Sequence, residues 1–396
     1  MFRYCFGFLY HFHSIMGLIP FEIDDRHRVR RSKYKRRWSL TIACCTTVLV
    51  FYSFSIIALR GSFWSSKYVD FVLIRSLVLV EFFIRFSNAS LCFYQILTHE
   101  AALYRYIDRF IAIVQRVWCC SRTCSMIHRM VYMLVGKVLL IDIGMCTRFA
   151  VNNGIYLPEQ NVHGYRLVNI YAVIINAQIT NLMLLMLLFA SYAYSRINEQ
   201  LDRTVRKMVC FETHNSYWSR RKVLQQQICC DASDTIDRHC SLHQELSEIV
   251  QGMFTIFQIP LLLINLNQFL AIVSRIYFVC ITKAQHDNDF LSYHRFSNSV
   301  LFLCFEAAQC FLLALGSSTV TKQARSPGIT LNAFINAPLD TRAERSIEIF
   351  GLAMLASDLR IQVAGLYVLD LVFLFSLITT VNMYLIVLIQ FQLNTY

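Results

Sequence analysis

The chain has 396 residues, of which 56% are hydrophobic and only 16% charged. A soluble domain of this length does not need so much apolar side chain, so the composition excludes one and points to a polytopic membrane protein. The formal charge of +12 would suit a nucleic-acid binder, but the basic residues sit in loops between apolar runs, which excludes that class as well.

The first 20 residues, up to Pro20, are apolar and aromatic. A signal peptide does not fit them, because His11 and His13 break the apolar run and no small-residue cleavage site follows. They predict a short interfacial helix that stays on the mature chain. Eight Lys/Arg follow between Arg26 and Arg37. Directly before an apolar span, such a run reads as a cytoplasmic topology anchor rather than a nuclear-localisation patch.

Seven spans are predicted, at 40–59, 69–97, 130–150, 167–195, 249–282, 296–316 and 364–391. The segments between them alternate in charge. The N-terminal run holds eight Lys/Arg besides Arg3, the loop 98–129 five, the loop 196–248 eight and the loop 317–362 five. The alternate set carries Arg60 and Lys67, then Arg166, then Lys283, with Arg295 at a span edge. This asymmetry predicts a cytoplasmic N-terminus and, after seven crossings, an extracellular C-terminus. The fold class is therefore all-α with inverted seven-helix topology. A G-protein-coupled receptor has the opposite orientation, and the Asn-Pro-x-x-Tyr kink of that class is absent here.

The cytoplasmic loops are more than linkers. Leu201, Val205, Met208 and Val209 at helical spacing predict that the fourth helix runs on past the membrane, with a turn near His214 to Ser219 and another helix feeding the fifth span. Ser326-Pro327-Gly328 marks a turn after the sixth. An amphipathic helix over Leu339 to Ala356 is expected to lie on the membrane or pack on the long helices. The 15 cysteines fall in spans or cytoplasmic loops, where thiols stay reduced. Cys119, Cys120 and Cys124, and Cys229, Cys230, His239, Cys240 and His243, lack the paired spacing of a structural zinc site. No metal, no cofactor and no catalytic motif is predicted.

Charges within spans are functional suspects, because an unpaired one at mid-membrane costs at least about 2.5–3.5 kcal/mol. Glu81 and Arg85, at i and i+4, are placed to pair. Lys137 and Asp142, five apart, are ill-placed to pair and are expected to face another helix or a pocket. Arg275 is expected to snorkel outward. Glu306 sits midway along its span with no local partner. Asp142 and Glu306 are the candidates for ligand contact or helix coupling.

The last stretch, Ala364 to Phe391, has one charge, Asp370, and no proline. Thr380, Met383, Val387 and Gln390 fall at i, i+3, i+7 and i+10, with Tyr384 and Phe391 beside them. Such a polar-punctuated stripe reads either as a helix–helix contact or as a pore lining. The run from Tyr384 through five apolar residues to Gln390-Phe391 resembles the C-terminal signature of insect gustatory receptors, with Met383 where that family usually has Thr. The resemblance implies a tastant-gated, non-selective cation channel in the plasma membrane of sensory neurons. It implies a homo- or hetero-tetramer whose seventh helices line the pore, with Thr380, Met383, Tyr384, Val387, Gln390 and Phe391 at the pore or gate. Small-molecule tastants, by default bitter compounds, and cations are the implied partners. On this view residues 1–316 form the sensing bundle and 317–396 the cytoplasmic helix and pore helix. The alternatives are a seven-helix receptor that signals through a partner without conducting, and a membrane enzyme or transporter.

Overall fold

The computed structural model describes residues 2–24, 28–59, 72–118, 125–147, 163–213, 220–284, 290–336 and 340–394. In chain order the helices are Phe2–Ile15 (α1), Lys33–Leu59 (α2), Val72–Thr98 (α3), Glu100–Trp118 (α4), Ser125–Gly136 (α5), His163–Thr213 (α6), Arg220–Ala284 (α7), Phe290–Asn332 (α8), Thr341–Ala356 (α9) and Leu371–Asn394 (α10). A π-helical turn, Lys137–Asp142, follows α5 directly, and helix resumes over 143–147. Two antiparallel hairpins punctuate the bundle, Phe21–Ile23 (β1) with Val29–Arg31 (β2) and Gln362–Val363 (β3) with Tyr367–Val368 (β4).

Among the described residues, five helical stretches are long and apolar enough to cross a membrane: Arg129–Thr147, Ile170–Met208, Gln226–Tyr277, Phe296–Asn332 and Leu371–Gln390. The other two predicted spans fall on α2 and α3, 27 residues each, or about 40 Å at 1.5 Å per residue. At the same rise the 65 residues of α7 run to about 100 Å, several times a hydrocarbon core of about 30 Å. Long helices thus run on beyond any bilayer.

The main core is built where α3, α6 and α7 meet, around Phe86, Phe93, Ile179, Leu187, Met253 and Phe257. Close approach of α4 to α7 needs Gly252, where a Cβ would overlap the Tyr106 ring. A second core joins the far ends of the long helices, Leu201, Val205, Ile236 and Leu331, to Phe350 of α9. The amphipathic helix therefore packs on the long helices. It begins at an Asp340 N-cap whose carboxylate accepts from the Thr341 amide at 2.9 Å.

Two expectations need correction. The turn predicted at Ser326-Pro327-Gly328 is absent, because α8 continues to Asn332 with Pro327 inside it. Proline has no N–H for the carbonyl four residues back. That carbonyl, Gln323 O, is taken by the Asn198 side chain of α6, which donates at 2.9 Å. The last helix begins later than Ala364. Residues 362–368 fold into the β3–β4 hairpin, with Ala364 and Gly365 at positive φ in its turn. Leu359, Ile361, Val363 and Leu369 around it are buried in the main core. Asp370 is no charge within a helix but the N-terminal residue before α10, accepting from the Phe373 amide at 2.8 Å. The turn predicted at His214 to Ser219 and Cys119, Cys120 and Cys124 lie outside the described residues.

Candidate functional site

Six ionisable side chains from α3, the π-turn, α7 and α8 gather inside the bundle. Glu81 and Arg85 pair as their spacing predicts, at 3.8 Å, both nearly sealed from solvent. Arg275 does not snorkel away. It also reaches Glu81, at 3.9 Å, and lies 4.9 Å over the Phe302 ring. Ser274 donates its hydroxyl to Glu81, so one carboxylate on α3 holds two consecutive residues of α7.

The second pair departs from expectation. Lys137 Nζ lies 2.8 Å from Asp142 Oδ1. In an α-helix residues five apart diverge, but the intervening turn is π-helical, and its i→i+5 closure stacks these two side chains. Asp142 also accepts from Asn181 Nδ2 at 2.7 Å, and Lys137 donates to the Ala177 carbonyl at 3.4 Å. The ion pair thereby fastens the π-turn to α6. Asn88 donates to Asn176 at 2.8 Å, which ties α3 to the same helix. Asn88 opens an Asn-Ala-Ser run that fits a glycosylation sequon, and its burial puts that run inside the bundle.

Glu306 of α8 is buried, and its charge acts on Arg85, Arg275, Lys137 and Glu81. No hydrogen bond or ion pair within 4 Å reaches it among the described residues. The cluster thus holds three cations and three carboxylates, and one of the carboxylates, Glu306, has no hydrogen-bond or ion-pair partner among the described residues. Asp142, by contrast, is held by both Lys137 and Asn181. Asn181 and Ser274 were not marked by the sequence, since an isolated amide or hydroxyl in an apolar run carries no periodic signal.

The other candidate is α10. One face, Leu377, Val381, Leu385, Leu388 and Ile389, packs on Phe269, Ile272, Val273 and Ile276 of α7 and Leu303 of α8. The opposite face is exposed, with nothing packed on it among the described residues. Thr380, Met383, Val387 and Gln390 all lie on it, with Met383 66% exposed. Tyr384 stands at the border, its ring edge-on to Phe269 at 5.8 Å. Phe391 continues the helix. The Thr380 hydroxyl donates back to Ser376 O at 2.8 Å and that of Thr379 to Phe375 O at 3.0 Å. Each of these two hydroxyls is satisfied by its own helix.

A bundle of long apolar helices with a buried ionic cluster and one half-covered terminal helix defines a multi-pass membrane protein. The profile of the 7tm chemosensory receptor family matches residues 6–395, and the chain belongs to that family. Two Drosophila melanogaster proteins are similar. "Gustatory receptor for bitter taste 93a" is 21% identical over 208 residues, 52% of this chain and 48% of that protein. "Gustatory receptor for bitter taste 66a" is 24% identical over 162 residues, 40% of this chain and 31% of that protein. The matches thus span half or less of these relatives' lengths. The fold is similar to that of the insect olfactory receptor OR5 from Machilis hrabei, with a TM-score of 0.65 and 98% of both chains covered at 14% identity. The same receptor in complex with eugenol gives 0.65 at 15% identity and the same coverage.

Proposed function

We propose that this chain is a subunit of a ligand-gated cation channel, four copies surrounding a pore lined by the uncovered face of α10. The observation that carries the reading is the division of α10 into a face bedded on α7 and α8 and a free face bearing Thr380, Met383, Val387 and Gln390. Gln390 and Phe391 stand near the outer mouth if the N-terminus is cytoplasmic, as the loop charges favour. Tyr384 sets the helix against Phe269. Residues 1–316 sense and 317–396 conduct.

The buried ionic cluster is the sensing site, with the buried Glu306 carboxylate its ligand contact and Asp142 a positioning residue. Helix α7 joins the two parts. Ser274 and Arg275 face Glu81, while Phe269, Ile272, Val273 and Ile276 carry α10. A small organic tastant that binds the cluster better when α7 is displaced shifts the population towards an open pore, by no more than its differential affinity for the two states. The names of the relatives favour a bitter compound, and the site of action is the plasma membrane of sensory neurons.

The test is current across cells expressing the chain alone or with other receptor subunits, during a tastant screen, with Gln390→Ala beside the wild type. A ligand-evoked cation current whose permeation or gating changes in Gln390→Ala supports the pore. A current indifferent to that substitution removes α10 from the pore.

A further inference from the structure

We propose that the β1–β2 hairpin and the first turns of α2 form a binding surface for anionic phospholipid headgroups. The segment is a built module rather than a loose tail. Tyr10 of α1 bonds both the Ile23 amide, at 3.0 Å, and the Lys35 ammonium, at 2.7 Å. The Ser39 hydroxyl donates to Gly17 O at 2.6 Å, and the Trp38 indole N–H to Ile15 O at 2.9 Å. Tyr104 of α4 donates to Val29 O at 2.9 Å, and the Val29 amide donates to Asp108. Phe21 and Val29 are buried beneath it.

On this scaffold the described residues Arg28 to Arg37 include seven Lys/Arg. Among the described residues the carboxylates that face them are Glu22, Asp24, Glu100 and Asp108. Asp24 pairs with Arg30 at 2.9 Å and Glu100 with Arg36 at 3.0 Å. Glu22 accepts the Ser32 hydroxyl at 3.0 Å, and Asp108 the Val29 amide. No ion pair within 4 Å reaches Arg28, Arg31, Lys33 or Arg37 among the described residues, and Arg31 leans only on the Tyr104 ring, at 5.3 Å. Tyr34 and Trp38, both exposed, stand among these cations at the head of α2, the level that interfacial aromatics occupy. A topology signal needs positive charge and no folded platform. Cations carried on a folded platform, with no ion-pair partner among the described residues, beside interfacial aromatics match a lipid phosphate. The cytoplasmic N-terminus proposed above serves only to name the leaflet.

The experiment is native mass spectrometry of the full-length receptor titrated in micelles with phosphatidylinositol 4,5-bisphosphate, phosphatidylserine or phosphatidylcholine. Retention of the two anionic lipids over phosphatidylcholine, weakened by salt, is expected. The variant Arg28→Gln/Arg31→Gln/Lys33→Gln/Arg37→Gln should bind the anionic lipids at least about a hundredfold more weakly, at about fivefold per charge. The variant Arg28→Lys/Arg31→Lys/Arg37→Lys should stay within a few-fold of wild type. Should the fourfold variant fail to insert, a photoactivatable phosphoinositide on the wild type decides by where it labels: within residues 21–40 as expected, or elsewhere, which overturns the proposal. Equal retention of phosphatidylcholine overturns it too. Lipid retention is read without current, so failure of the channel reading leaves this result intact.

Discussion

Lys137 and Asp142 stand five residues apart on one continuous helical segment, yet Nζ and Oδ1 meet at 2.8 Å. The π-turn that brings them together also sets Asp142 against Asn181 of α6. Both side chains are buried, so the pair's attraction offsets a desolvation cost rather than adding a large surplus. Lys137→Met strands the carboxylate and should destabilise the receptor by about 3–5 kcal/mol. Lys137→Met/Asp142→Leu should recover most of that loss. Thermal unfolding of the purified receptor in detergent reads the cycle, and strictly additive losses would disprove the coupling.

The pairing was not legible in the sequence, and the reason is geometric. Faces are read on the assumption of 3.6 residues per turn, and the π-turn breaks that period over six residues. Where the period holds, the reading succeeds. Glu81 and Arg85 pair at i and i+4, α6 and α7 run on past the membrane, and Phe350 lies on the buried face of α9. Helix α4 falls where the charge pattern predicts a loop. Its signal is present in Leu103, Ile113 and Val117, which enter the main core, but five basic residues over 98–129 give the segment the charge of a loop. The hairpin before α10 was hidden by apolarity. Leu366 to Leu369 are as greasy as the helix that follows, and only Gly365 and Asp370 mark the boundary. For the candidate sites, the sequence marks residues one at a time. It marked Glu306 and Arg275 separately but not that Glu81 gathers Ser274 and Arg275, which depends on packing between helices far apart in the chain.

Pro327 and Asn198 form a second coupled pair. The proline frees Gln323 O, and the Asn198 amide fills it. Asn198→Ala leaves a part-buried carbonyl bare and should cost about 1–3 kcal/mol. With Pro327→Ala the backbone N–H returns, and the same Asn198→Ala should then cost under about 1 kcal/mol. Unfolding midpoints of the four proteins measure the difference, and an unchanged cost in the alanine background would refute the compensation.

At the start of α10, the Asp370 carboxylate accepts from the Phe373 amide, and the Tyr367 ring stacks on Phe373 at 4.4 Å. Tyr367 in turn accepts from Asn265 of α7 at 2.6 Å. Asp370→Ala should cost about 0.5–2 kcal/mol, and Asp370→Asn, which keeps an accepting oxygen, only a fraction of that. Hydrogen exchange of the first turn of α10 is the local readout. Equal protection in Asp370→Ala and wild type would show that the hairpin alone holds the helix start.

Asp358, between α9 and the β3–β4 hairpin, offers a pH test. Arg325 donates to its Oδ1 at 2.9 and 2.8 Å, and Arg360 to its Oδ2 at 2.7 Å. The Arg325 hydrogen bonds hold the carboxyl below the usual carboxylate range. A carboxyl with a depressed folded pKa binds fewer protons folded than unfolded. Its contribution is therefore full above the unfolded value of about 3.9 and disappears as pH falls through the folded value. The site is exposed, so the contribution is modest, about 1 kcal/mol or less. The gap in melting temperature between wild type and Asp358→Asn should stay constant from neutral pH down to about pH 5 and close only below about pH 4. High salt should shrink it at every pH, since the three side chains face solvent. A gap that widens on acidification would mean that the carboxylate is held by burial instead of by Arg325.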